Sequence, residues 1–205
     1  MIAGMFRRIA IVLMGLLLLT AWRREEEFVV RKVLGGDTLL LEDGRRVRLI
    51  GVECMANASR DAGFEEPGGE PTLLHALARR AEAFSRRCVE GKKVRLDFDI
   101  MNAPQKHVDA RGYTLAYVKF FCKKPPPELA QYWKKAGIDI RWRRKWISLN
   151  GLLVQCGLAM VRTREPFKYR SEFDKFEAHA RDAGIGIWGP VNELAYVGQG
   201  QGGDS

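Results

Sequence analysis

FVVRKVLGGDTLLLEDGRRVRLIGVE, Phe28 to Glu53, holds three of the chain's strands and most of its candidate chemistry. Phe28 to Leu34 is apolar and β-branched, and Gly35-Gly36 ends it with a turn. Thr38 to Leu41 and Val47 to Val52 are two further strand-like runs. Asp43-Gly44 between them is a short-range hairpin signal, read as a turn with both residues at positive φ.

Working outward, a Gly-, Pro- and Glu-rich loop runs from about Asn57 to Pro71, and Thr72 is placed to cap a helix. In that helix Leu74, Leu77, Ala81, Phe84 and Cys88 recur at steps of three and four, giving one apolar face that stops at Gly91. Lys93 to Ile100 alternates, with Val94, Leu96, Phe98 and Ile100 on one side and Arg95, Asp97 and Asp99 on the other. Such alternation predicts a half-buried strand. Another strand spans about Tyr113 to Phe121. Leu149, Leu152, Leu153 and Cys156 line a short helix ending at Gly157. A last helix has Phe173, Phe176 and Ala180 on its buried face, with Ser171 and Asp174 resembling a capping box. Gly184 ends it, and Trp188 is expected to pack just beyond.

The order is three strands, a helix, two strands and two helices, βββαββαα. Five strands with a helix after the third predict an α+β fold built on a small Greek-key OB barrel. The globular domain runs from 28 to 189, and the Gly-, Gln- and Asp-containing stretch 190–205 reads as a flexible tail. At the other end, Arg7 and Arg8 precede an uncharged, mostly apolar run from Ile9 to Trp22. As a helix that run reaches about 21 Å, short of the roughly 30 Å hydrocarbon core. Residues 1–24 are therefore read as a secretory signal peptide, with an uncleaved signal anchor as the alternative. The protein is expected to be exported, whether periplasmic, extracellular or membrane-anchored and facing outward.

The chain has 205 residues, of which 46% are hydrophobic and 29% charged, which excludes a disordered or fibrous class. Its 34 basic and 25 acidic side chains give +9, a balance that favours nucleic acid or an anionic membrane surface as partner. Cys54, Cys88, Cys122 and Cys156 recur at intervals of 34, but their flanks share nothing and no CxxC pair exists. That argues against both a repeat and a zinc site. Cys88 and Cys156 fall on apolar helix faces, where a buried thiol is expected.

Five strings now stand in one order: GGDT (35–38), VRLIGVE (47–53), DARGYTLAYV (109–118), LNGLLVQCGLAMV (149–161) and EAHARDAGIGIWG (177–189). They resemble the staphylococcal nuclease (thermonuclease) family over about 28–189, apart from two insertions. The resemblance implies calcium-dependent phosphodiester hydrolysis of DNA or RNA. A calcium ion on hard carboxylate oxygens, two phosphate-clamping arginines and a glutamate acting on water would do that chemistry.

By that resemblance Asp37 matches the first calcium carboxylate and Arg48 the first phosphate-binding arginine. Glu53 stands where the family usually has its second metal aspartate, one methylene longer. The next positions depart from the pattern. Alanine, Ala56, holds the general-base position, and Tyr113 replaces the second arginine of the D-x-x-G-R motif. A phenol can donate a hydrogen bond but brings no positive charge. Arg111, two residues before Tyr113, is a possible substitute for the guanidinium, and Glu65, Glu66 or Glu70 for the base. Calcium is accordingly possible but weakened or absent, and no small-molecule cofactor is expected. Of the histidines, His75 and His179 read as surface residues and His107 as a loop residue near the phosphate pocket.

The resemblance also implies that a short connection between strands four and five is expanded to 119–147. That insertion holds nine basic residues against Glu128 and Asp139. Without residues 1–24 the chain has 30 basic and 25 acidic residues, so nearly all its basic character lies in this segment. Lys123, Lys124, Arg143, Arg144 and Lys145 are interleaved with Trp142 and Trp146, the mixture that single-strand binding uses. The same mixture suits an anchor on anionic lipid, or aromatics that simply pack on the barrel. Pro125-Pro126-Pro127 is expected to stiffen one arm. Three functions stay open: a nucleic-acid-binding domain with weak or lost hydrolysis, a calcium-dependent nuclease with a relocated base, and an envelope module docking on membrane or protein.

Overall fold

The computed structural model describes residues 26–55, 73–105, 107–135, 143–162 and 166–189. The leader, Thr72, Ala56, Glu65, Glu66, Glu70, Trp142 and the tail beyond 189 lie outside the described residues.

Strands β1 (Glu27–Gly35), β2 (Thr38–Leu41) and β3 (Arg46–Leu49) form an antiparallel meander. After the two-residue strand β4 (Val52–Glu53) comes helix α1 (Leu73–Val89). Strands β5 (Lys93–Asp97) and β6 (Thr114–Cys122) follow. β5 pairs with β1 and β6, and the start of β6 pairs in parallel with β3. These pairings close a five-stranded barrel, the α+β OB-type fold that the element order predicts. Val30, Leu39, Val47, Val94 and Val118 fill it from the strands, and Phe84 and Ala81 cover it from α1.

The β2–β3 turn differs from its sequence reading. Gly44 alone takes positive φ (86°); its N–H donates to Leu41 O (3.1 Å), and Leu41 N donates to Arg45 O (2.9 Å). That is a three-residue loop with glycine at the left-handed position, so Asp43 needs no left-handed backbone. β5 also ends sooner than its alternation suggests. Phe98 is exposed and Ile100 is 82% exposed, because the chain turns into a 3-10 helix (Ile100–Gln105) and carries both side chains off the sheet.

Residues 98–113, rather than the insertion, join β5 to β6. The insertion leaves from Cys122, forms helix α2 (Pro127–Lys135) and returns as β7 (Lys145–Ser148). Pro127 opens α2, where a missing N–H costs nothing. β7 pairs with the far half of β6, Phe121 opposite Trp146, continuing the edge that β3 leaves at Ala116. Lys119 to Cys122 are thus sheet residues, and α2 packs back on the core through Leu129 and Trp133.

Ser148 caps helix α3 (Leu149–Gln155), whose six residues Leu149 to Val154 are all buried. Strand β8 (Met160–Val161) pairs with β4, and helix α4 (Arg170–Asp182) packs on α3. The Ser171 capping box does not form: the cap lies two residues earlier, at Tyr169, and Asp174 accepts from Arg170 instead. Phe173 and Ala180 are buried in α4 as expected, and Arg181 stacks on Trp188 at 3.9 Å.

Candidate active site

Gly36 fixes where the site begins. A Cβ there would lie 2.5 Å from Cys54 Sγ and 2.7 Å from Ala81 Cβ, and Ser85 Oγ donates to Gly36 O at 2.6 Å. Only glycine lets the β1–β2 turn press this closely on α1. Asp37, next in sequence, is fully buried as a result. Its Oδ2 accepts from Cys54 N (3.0 Å), its Oδ1 from Thr38 Oγ1 (2.9 Å), and its carbonyl from Leu49 N (2.9 Å). The carboxylate therefore ties the start of β2 to the end of β4. Burial, then the charges of Asp37 and Glu53, push the Cys54 thiol well above its ordinary range.

Arg48 lies across from Thr38 on β2 and Leu115 on β6, and is 6% exposed. Its guanidinium sits between two carboxylates, with Nη2 3.9 Å from Glu53 Oε1 and Nη1 4.0 Å from Asp109 Oδ2. Both distances are too long for hydrogen bonds. Arg48 Nε and Nη2 and Glu53 Oε1 are buried with no hydrogen-bond partner. Asp109 is oriented from behind, its Oδ1 accepting from Arg111 N and Tyr113 N at 2.9 Å each. Arg48, Glu53 and Asp109 are thus brought together, while Asp37, one residue before the β2 partner of Arg48, gives its carboxylate to Cys54 N and Thr38 Oγ1.

The family model for staphylococcal nuclease homologues matches residues 46–190. The chain belongs to that family. No curated protein matches it. The matched stretch takes in Arg48, Glu53, Asp109, Tyr113 and the insertion, while Asp37 lies just ahead of it. Membership makes this a chain from a family of nucleases and nucleic-acid-binding proteins.

The remaining candidates are spread more widely. Tyr113 is half-buried, and the guanidinium over its ring is that of Arg46, at 5.8 Å. Arg46 is exposed and escaped the sequence reading because an outward arginine beside a turn reads as solvated. Arg111 is exposed and contributes its backbone N–H to Asp109. Lys123 and Lys124 are exposed beyond β6, Arg143 and Arg144 are exposed before β7, and Lys145 and Trp146 lie in β7. Trp146 is held by Arg95, 3.8 Å from its ring centre. None of these insertion residues lies in the Arg48 cluster. His75 and His179 are exposed; His107 lies in the loop ahead of Asp109, against Phe98.

The carboxylates here are ligands of the class calcium takes, but the Arg48 guanidinium stands between two of them. One guanidinium between Glu53 and Asp109 leaves an excess of negative charge, and Glu53 presents a buried oxygen with no partner. Hard carboxylate oxygens are what calcium takes, although it needs six to eight of them. Among the described residues no group of three or more His, Cys, Asp or Glu side chains is arranged to hold a metal.

One supporting residue was missed altogether. Asn150 is fully buried; its Nδ2 donates to Ile50 O (2.9 Å), and its Oδ1 accepts from Val118 N (3.0 Å). It bridges the end of β3 to β6 where the two strands part, which keeps Arg48 in register with the loop carrying Asp109.

Proposed function

We propose that this member of the nuclease family binds nucleic acid and hydrolyses phosphodiesters weakly or not at all. The observation that carries the reading is the buried Arg48 guanidinium, whose Nε and Nη2 have no acceptor. Buried donors left unpaired are costly, and a phosphate oxygen is the acceptor that a planar guanidinium fits best.

In the proposed chemistry Arg48 grips a phosphate oxygen while Glu53 and Asp109 hold the guanidinium from two sides. Asp37 and Glu53 would hold a calcium ion, which supplies charge neutralisation for a phosphodiester. Tyr113 can donate one hydrogen bond to the phosphate. It adds no charge, and Ala56 can neither orient nor deprotonate water. Losses of this kind cost about 10² to 10⁴ in rate each. The basic, aromatic insertion supplies a second hold on a single strand, with affinity falling steeply as salt rises. Export is proposed from the pattern of residues 1–24 alone. No helix among the described residues is long and apolar enough to cross a membrane.

The test is digestion of single-stranded DNA and RNA by the full chain, with calcium and with EDTA. Strand binding with little acid-soluble product is expected. Rapid calcium-dependent release that Arg48→Ala abolishes would instead establish a working nuclease with its base elsewhere.

A further inference from the structure

Among the described residues two arginines, Arg48 and Arg162, have a buried guanidinium nitrogen with no hydrogen-bond partner. The proposed function employs the first and leaves the second without a role. Arg162 follows strand β8, and its backbone N–H donates to Gly51 O at 3.0 Å. Val161 stands opposite Val52 and Met160 opposite Glu53, so this bond extends the β4–β8 ladder by one row and sets Arg162 across from Gly51.

Side chains alternate across such a ladder. Val52 and Val161 are buried in the core cluster. Glu53, Met160 and Arg162 therefore share the other face, the one on which Glu53 approaches the Arg48 guanidinium at 3.9 Å. The Arg162 row lies two strand residues, about 7 Å, along that face from the Glu53 row. Glycine at position 51 leaves the place opposite Arg162 open, and Phe167 fills it: a Cβ there would lie 2.6 Å from the ring. The arginine stem is thus set beside an apolar wall. Arg162 is half-buried and forms no ion pair among the described residues. Its row is fixed before any ligand arrives. Val161 N donates to Glu177 Oε1 (2.8 Å) and Arg181 Nη2 to Glu177 Oε2 (3.1 Å), which ties β8 to α4.

A half-buried cation with an unpaired donor suits an anion, and a planar guanidinium suits a phosphate. Arg48 has Glu53 and Asp109 near it, and Arg162 pairs with neither. The two head groups therefore stand apart and match successive phosphates of one strand rather than two oxygens of one phosphate. We infer that Arg162 is a second phosphate-binding residue, taking the phosphate next to the one on Arg48 in a single strand. The inference rests on the proposed function and adds a contact that the number of phosphates separates from the first. The probes are thymidine 5′-monophosphate and 5′-phosphorylated dithymidylate, read by titration calorimetry with the full chain. Arg162→Gln should weaken the dithymidylate by roughly ten- to 150-fold, the scale of one lost charged hydrogen bond, and leave the monophosphate within twofold. Its plot of log affinity against log salt should also be shallower, by up to about 0.7. A loss of packing alone would not move that slope. Arg162→Lys keeps the charge and should keep the wild-type slope. Arg162→Met, which keeps an apolar stem beside Phe167, serves as the second neutral variant.

A dithymidylate affinity that both neutral variants leave within twofold of wild type overturns the inference, even if Arg48→Ala weakens both probes and so sustains the proposed function. An equal loss on the two probes puts Arg162 on the same phosphate as Arg48 and also overturns it, as does a loss with an unchanged salt slope. No binding of either probe by the wild-type chain overturns both readings.

Discussion

Asp99 and Arg48 are both buried charged residues beside β6, and the fold treats them in opposite ways. Asp99 is 1% exposed and accepts from Tyr117 Oη (2.6 Å), Lys168 N (2.7 Å) and Met101 N (3.0 Å). Arg48 is 6% exposed, and its nearest carboxylates stand 3.9 and 4.0 Å away. A saturated buried charge joins elements; here it fastens the end of β5 to β6 and to the segment leading into α4. An unsaturated one is a cost the fold carries, and it points to a ligand that completes the set. The barrel thus separates holding itself together from holding a substrate, within a few residues along one strand.

The largest expected effect lies at the unsaturated centre. Restoring the family pattern with Ala56→Glu and Tyr113→Arg should raise calcium-dependent cleavage of a labelled single strand by about 10² to 10⁴ or more. If the fragments on a gel do not increase, substitution at those two positions is not what limits the site. At the saturated centre the effect moves to stability. Asp99→Ala leaves three donors without their acceptor and should cost about 3 kcal/mol. That would lower Tm by roughly 6–12 °C in a circular-dichroism melt, with oligonucleotide affinity at 20 °C within twofold of wild type. An unchanged Tm would remove the contrast between the two centres.

The same contrast predicts a pH dependence. Burial acts to raise the Asp99 pKa, but the hydrogen bonds from Lys168 N, Tyr117 Oη and Met101 N outweigh it and hold the carboxyl below its ordinary value. A depressed carboxyl stabilises the fold above its unfolded pKa, near 3.9, and the stabilisation disappears as pH falls through the lower folded value. Wild-type Tm should therefore fall more steeply below about pH 4 than that of Asp99→Asn; parallel curves would contradict the network. Tyr117, pushed well up by burial and then by Asp99, stays a donor throughout this window.

The smallest effects test the helix caps. Ser171→Ala should change stability by less than about 0.5 kcal/mol, since Ser171 is exposed in the first turn of α4 and does not cap it. Ser148 accepts from Gly151 N at 3.4 Å, so Ser148→Ala should cost more, about 0.5–1 kcal/mol. Equal losses in chemical denaturation would contradict these assignments.

The barrel was legible in the apolar, strand-like runs of β1, β2 and β3 and, in the first half of β5, in an alternating pattern. It misled at Phe98 and Ile100, because alternation continues past the point where Asp99 turns the backbone away. Asn150 was invisible because a polar residue at a helix start reads as solvent-facing, and only the meeting of Ile50, Val118 and α3 gives it partners. β7 was missed because four residues, KWIS, carry too short a pattern to separate from a loop. For the site, residue identities brought Asp37, Arg48 and Glu53 to notice. That Arg48 lacks acceptors depends on distances between β3, β4 and the 109–113 loop, which no local pattern encodes.

Affinity for a 5′-phosphorylated single strand, measured with calcium and with EDTA in the wild-type chain and in Arg48→Ala, bears on the phosphate site most directly. Binding that calcium strengthens in the wild type, and that the variant weakens at least about tenfold without loss of fold, is the predicted result. Equal affinity of the two proteins under both conditions would mean that the Arg48 guanidinium does not receive a phosphate.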